Sequence, residues 1–137
     1  MALNYHHIGI AVHSISCAKP FYESIGYKAS DIVYDSIQNV SICFLMCEGK
    51  PMIELLQPVD ESSPVSQVLH KVGASPYHIC YEVDDLEAEI VNMRRQKFIL
   101  VKKPAEAVAL GGCRVCFLYN KNVGLIELVE SLAKISK

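Results

Sequence analysis

The sequence predicts an α+β fold made of two β-α-β-β-β modules in tandem, and three observations carry that reading. His-Ile-Gly-Ile-Ala-Val at 7–12 returns as His-Ile-Cys-Tyr-Glu-Val at 78–83. Met-Ile-Glu-Leu-Leu at 52–56 returns as Leu-Ile-Glu-Leu-Val at 125–129. Self-similarity at a fixed offset marks a duplicated structural unit. His7 precedes Glu54 by 47 residues and His78 precedes Glu127 by 49, so each half opens on a strand with a His and closes on a strand with a Glu. Between those strands each half carries one helical pattern and further β-rich segments.

Taken in order, the first His strand is followed by Ser14 or Ser16, either of which can cap a helix running to about Ile25, with Gly26 as its stop. Pro20 must lie near the first turn of that helix or bend it. Strands then follow at 32–34, 40–47 and 52–56. Residues 58–73 read as a linker with a short helix, Ser63 capping it and Pro64 at its first position. After the second His strand, Asp84 or Asp85 caps a helix to about Lys97, with Leu86, Ile90 and Met93 on one face. Strands at 99–101, 113–119 and 125–129 complete the second half. The expected organisation is one domain spanning 1–137, with module one at about 4–57, the linker at 58–75 and module two at about 76–130.

Composition narrows the function classes. With 51% apolar and 20% charged residues the chain is a globular protein. A net charge of −2 and no basic run beyond two residues give no nucleic-acid footprint. Apolar stretches fall well short of the roughly 18 residues of a membrane helix. The N-terminal residues lack a basic segment followed by an apolar one, so a cytoplasmic protein is expected. The six cysteines include Cys113 and Cys116 in a C-x-x-C. That motif falls in a strand, where residues three apart point to opposite faces, and no second C-x-x-C completes a zinc site. Reduced thiols are therefore expected.

Strand parity singles out four residues. If His7 faces a cavity, Gly9 and Ala11 share its face while Ile8, Ile10 and Val12 pack against the helix. Glu54 opposes Ile53 and Leu55, and Glu127 opposes Ile126 and Leu128. A lone carboxylate in an apolar strand is costly to bury unpaired. Two His and two Glu at repeat-equivalent positions have one common explanation, a shared divalent metal bound by His7, Glu54, His78 and Glu127. His6 has the opposite parity to His7, and His13 and His70 have no repeat partner.

With these residues in place, the chain resembles the vicinal oxygen chelate superfamily, which includes glyoxalase I, methylmalonyl-CoA epimerase, extradiol dioxygenases and fosfomycin and bleomycin resistance proteins. The resemblance spans about residues 5–130. It implies that the paired modules form a cupped mixed sheet around a metal, with ligands at the positions of His7, Glu54, His78 and Glu127. Several segments are most similar to the epimerase family: residues 7–12, Glu54-Leu55-Leu56-Gln57-Pro58 with the Asp60-Glu61-Ser62-Ser63-Pro64 that follows, 77–85 and 124–128. Two departures stand out. Some epimerases have Gln in place of Glu54, and bacterial ones carry a catalytic Glu aligned with Ile42.

Bacterial glyoxalase I matches all four ligand positions, but its glutathione-binding Arg aligns with Ala11 and the Asn after its second ligand strand with Pro58. The resemblance thus implies a metal-dependent isomerase or epimerase that removes a proton α to a carbonyl. A lactoylglutathione lyase is the alternative, and a non-catalytic binding or resistance protein a further one. The expected cofactor is one divalent ion, Ni, Co, Zn or Mn, since imidazoles with carboxylates suit an ion of borderline softness. Glu54 and Glu127 would approach a planar enolate from opposite sides, with Glu127 the favoured base. The expected substrate is an acyl-CoA or a glutathione thiohemiacetal, with Lys102, Lys103 and Arg114 as available cations, and a homodimer is expected.

Overall fold

The structure, a computed structural model, describes residues 3–131. The chain forms two compact units, one of His7–Tyr77 and the other of the residues before His7 together with those from His78 onward.

In the first unit the elements are β1 (Asn4–Ala11, beginning just before the unit), α1 (Ile15–Ser24), β2 (Lys28–Ala29), β3 (Val33–Asp35), β4 (Val40–Met46), β5 (Ile53–Pro58) and α2 (Pro64–Val72). Strand β1 runs parallel to β5, with Gly9 opposite Glu54, and β4 runs antiparallel to β5, with Phe44 opposite Glu54. Ser14 is the cap that forms: its hydroxyl accepts the N–H of Cys17, and the amide of Gln57 receives the N–H of Ile15 at 2.8 Å. Pro20 falls in the second turn, where it forfeits one helical hydrogen bond. The helix stops at Gly26, whose φ of +107° is open to glycine at no steric cost. Ser63 caps α2 with Pro64 at its first position, as the linker pattern predicts.

The second unit contains β6 (Ser75–Val83), α3 (Leu86–Arg95), β7 (Ile99–Ala107), a 3-10 turn at Val108–Leu110, β8 (Cys113–Asn120) and β9 (Gly124–Glu130). Here β6 runs parallel to β9, with Cys80 opposite Glu127, and β8 runs antiparallel to β9, with Phe117 opposite Glu127. Asp85 caps α3 by accepting the N–H of Ala88 at 3.0 Å.

Two details differ from the sequence reading. Strand β2 is an extra two-residue element pairing with the end of β4, too short to show a period. Strand β7 continues to Ala107 rather than ending at Val101, with register shifts on either side of Lys102. Pro104 is tolerated because β7 lies at the end of the strand order with β8 beside it.

In each unit one helix, α1 or α3, packs on one face of the strands. Ile15, Ala18, Tyr22 and Tyr27 pack on Ile10, Val12, Cys43, Leu45, Ile53 and Leu55. Leu86, Ile90 and Met93 pack on Ile79, Tyr81, Val83, Cys116, Leu118, Ile126 and Leu128. The alternation of strand side chains turns His7 and Glu54, and likewise His78 and Glu127, to the face away from the helix. Among the described residues no helix is long and apolar enough to cross a membrane.

Candidate metal centre

The site is built twice, once in each unit. In the first, β1 supplies His7 and the parallel β5 supplies Glu54, and the imidazole Nε2 lies 3.2 Å from the carboxylate Oε1. In the second, β6 supplies His78 and the parallel β9 supplies Glu127, with Nε2 and Oε1 3.0 Å apart. All four residues are buried, none more than 4% exposed. The pairing follows from the ladders: one strand's His is displaced by two positions from the residue facing the Glu, so the two long side chains meet across the parallel pair. Gly9 and Ala11 share the His7 face, as the parity requires, and both are buried.

Sequence reasoning missed a third member of each pair. Phe44 of β4 packs edge-to-face on His7, with ring centroids 5.4 Å apart and planes at 75°. Phe117 of β8 packs the same way on His78, at 5.3 Å and 86°. Both phenylalanines stand opposite the site glutamate in their antiparallel ladders. The signal was present, because each precedes its Glu by ten residues, but an isolated Phe in an apolar strand reads as core.

Enclosing a carboxylate costs several kcal/mol unless a donor or cation meets it. Each pair offers one imidazole nitrogen and one carboxylate oxygen, the mixed donor character that suits a borderline divalent ion. The donor chemistry therefore fits the metal that the resemblance implies.

The remaining candidates lie elsewhere. His6 is half-buried and of opposite parity, and His13 is exposed. His70 is on the surface, 2.7 Å from Glu61. Ile42, two residues from Phe44 on the Glu54 face of β4, is buried opposite Leu56 and offers no ionisable group. Arg114 is engaged by Glu87 and Glu130, at 2.7 and 2.8 Å, which leaves Lys102 and Lys103 as the exposed cations of the set considered from sequence.

Residues 6–117 match the model of the Glyoxalase/Bleomycin resistance protein/Dioxygenase superfamily, and the chain belongs to this superfamily. It is 33% identical over 132 residues to human mitochondrial methylmalonyl-CoA epimerase, covering 92% of this chain and 73% of that protein. Its fold is similar to the crystal structure of methylmalonyl-CoA epimerase from Mycobacterium tuberculosis, with a TM-score of 0.84, 29% identity and coverage of 97% of this chain and 91% of that one. A methylmalonyl-CoA epimerase structure in complex with methylmalonyl-CoA and NH4+ is similar at a TM-score of 0.83, 27% identity and 97% coverage of both chains.

Proposed function

We propose that this protein is a divalent-metal-dependent epimerase acting at the carbon α to a thioester carbonyl, with methylmalonyl-CoA as its substrate. The observation that carries the reading is the duplicated, buried His–Glu pair in a chain similar along nearly its whole length to proteins named methylmalonyl-CoA epimerase. In this reading the two modules work as a single vicinal-oxygen-chelate domain. His7, Glu54, His78 and Glu127, residues whose chemistry could hold a metal ion, would together bind one Ni, Co, Zn or Mn ion. Such an ion supplies Lewis-acid stabilisation of the negative charge that develops on the carbonyl oxygen as the α-proton leaves.

The chain's own residues supply the rest. The two imidazoles hold their position through the carboxylates beside them, and the apolar strands around them exclude water. With an isoleucine at position 42, where the resemblance places an epimerase Glu, the proton transfers fall to Glu54 and Glu127. A carboxylate is a competent general base for a proton made acidic by the neighbouring carbonyl. The repeat-equivalent placement of the two carboxylates supports their working on opposite faces of the planar intermediate, one removing the proton and the other returning it. That division of labour inverts the centre.

The substrate class also favours this reading over a glutathione-dependent lyase, since Ala11 and Pro58 stand where the resemblance places glyoxalase contacts. The protein is expected to act as a homodimer, measured by sedimentation equilibrium. Its free cysteines suit a reducing compartment, the cytoplasm. The test is to incubate metal-loaded protein with one epimer of methylmalonyl-CoA in D2O. Deuterium at the α-carbon with inversion supports the proposal. Turnover of the methylglyoxal–glutathione hemithioacetal without α-exchange on the CoA ester would replace it with the lyase. Inactivity on both with metal bound would leave a binding protein of the same fold.

A further inference from the structure

We infer that Phe44 and Phe117 are positioning residues for the two imidazoles, fixing the ring planes of His7 and His78 so that each Nε2 lone pair is aimed at the site. The inference rests on the proposed metal-binding role of those histidines and extends it to residues that offer no ligand atom.

The geometry is the same in both units. Each Phe meets its His edge-to-face, at 5.4 Å and 75° for Phe44 and at 5.3 Å and 86° for Phe117. Each Phe is also in register with the Glu whose carboxylate lies beside that His. The imidazole is thus held on one side by a carboxylate near Nε2 and on another by an aromatic ring. A lone pair on an imidazole nitrogen lies in the ring plane, so rotation of the ring swings it off a fixed target. The carboxylate contact restrains one atom of the ring and only partly restrains rotation about the Cβ–Cγ bond, which re-aims the lone pair. A perpendicular aromatic ring restrains that rotation, because edge-to-face packing is favourable over a limited range of angles. Partners that orient a ligating histidine typically matter 10–100-fold in metal affinity.

A packing role alone would give a different outcome, because the next residue along each strand is also a large apolar one and is buried. Leu45 and Leu118 follow Phe44 and Phe117 directly and point to the helix-covered faces. They make matched controls for lost stability without lost ring contact.

The experiment compares Phe44→Leu and Phe117→Leu with Leu45→Val and Leu118→Val, and adds Phe44→Tyr, which keeps the ring. Co2+ is titrated into each metal-free protein and followed by visible absorption. Metal-free samples are also examined by long-range 1H–15N correlation of the imidazoles. The expected result is Co2+ affinity weakened on the order of 10-fold in both Phe→Leu variants, with a changed absorption band and shifted imidazole signals of the partner histidine. The Leu→Val controls should lower the unfolding temperature yet keep wild-type affinity, and Phe44→Tyr should restore it. Unchanged imidazole signals in the Phe→Leu proteins would overturn the inference, as would equal weakening in the Leu→Val controls. Failure of the wild-type protein to bind Co2+ would instead overturn the metal-binding reading, and the imidazole signals would still decide whether the rings are held.

Discussion

Cys113 and Cys116 lie on one strand but in different apolar clusters. Cys113 packs with Cys80, Ala107, Val115 and Val129, whereas Cys116 packs under α3 with Leu86, Leu118 and Leu128. The C-x-x-C is therefore two separate buried thiols. Burial pushes the Cys116 thiol up to about 12, with the Glu127 carboxylate adding to the effect, and burial raises Cys113 as well. A thiol titrating above its usual range stays protonated at pH 8, and the protonated form is not the nucleophile. Native protein treated with iodoacetamide at pH 8 should label first at the exposed Cys17, and all six cysteines should label in denaturant. A native 113–116 disulfide, or rapid labelling at Cys116, would contradict this.

Arg114 joins β8 to α3 and β9. It donates through Nε and Nη2 to the two oxygens of Glu130, at 3.2 and 2.8 Å, and pairs with Glu87 at 2.7 Å. Those hydrogen bonds hold the guanidinium protonated well above the ordinary range. Glu130 is buried, so Arg114→Met leaves its carboxylate without the guanidinium. Removing one partner of such a pair costs about 1–3 kcal/mol, and the partial exposure of Arg114 favours the lower half of that range. Glu87 is 59% exposed, so Glu87→Gln should cost less than about 0.5 kcal/mol. Urea unfolding of the two variants checks the order.

Particular residues show why some of this was legible in the sequence and some was not. The parity of His7 against Ile8 and Ile10, and of Glu127 against Ile126 and Leu128, is set by the two-residue period of a strand and needs no tertiary information. Ser63-Pro64 and Gly26 act through local backbone geometry, so α2 and the end of α1 fell where expected. Strand β7 past Val101 was hidden because Lys102, Lys103 and Pro104 break the pattern, and only an edge position makes Pro104 acceptable. Phe44 and Phe117 were hidden for a different reason: their significance is a ring-to-ring contact between strands, and one chain read in order shows no such neighbour.

A bound ion should stabilise the fold. A ligand that binds only the folded state adds about 2.7 kcal/mol when free at 100 times its Kd. At about 2–8 °C per kcal/mol for domains near this size, that is a shift of several degrees or more. Protein stripped with a chelator should melt lower than protein restored with Co2+ or Zn2+. His7→Ala and His78→Ala should each abolish most of the metal-dependent increment. An unfolding temperature indifferent to metal in the wild-type protein would count against the site.

The division of labour proposed for Glu54 and Glu127 makes the sharpest prediction. If each serves one face of the planar intermediate, losing one carboxylate blocks inversion but not every proton transfer. Glu127→Gln should lower epimerisation by about 10²–10⁴-fold, the usual cost of a positioned base. The remaining Glu54 should still exchange the α-proton of one epimer with solvent, without inverting it. Glu54→Gln should show the mirror result, exchange confined to the other epimer. Both variants keep a neutral side chain of the same shape, but each also loses a carboxylate from the proposed donor set. Metal content must therefore be measured beside activity, and rates compared at saturating metal. Loss of exchange in both epimers with metal bound would mean that one carboxylate serves both faces. Wild-type epimerisation in Glu127→Gln would remove Glu127 from the proton path altogether.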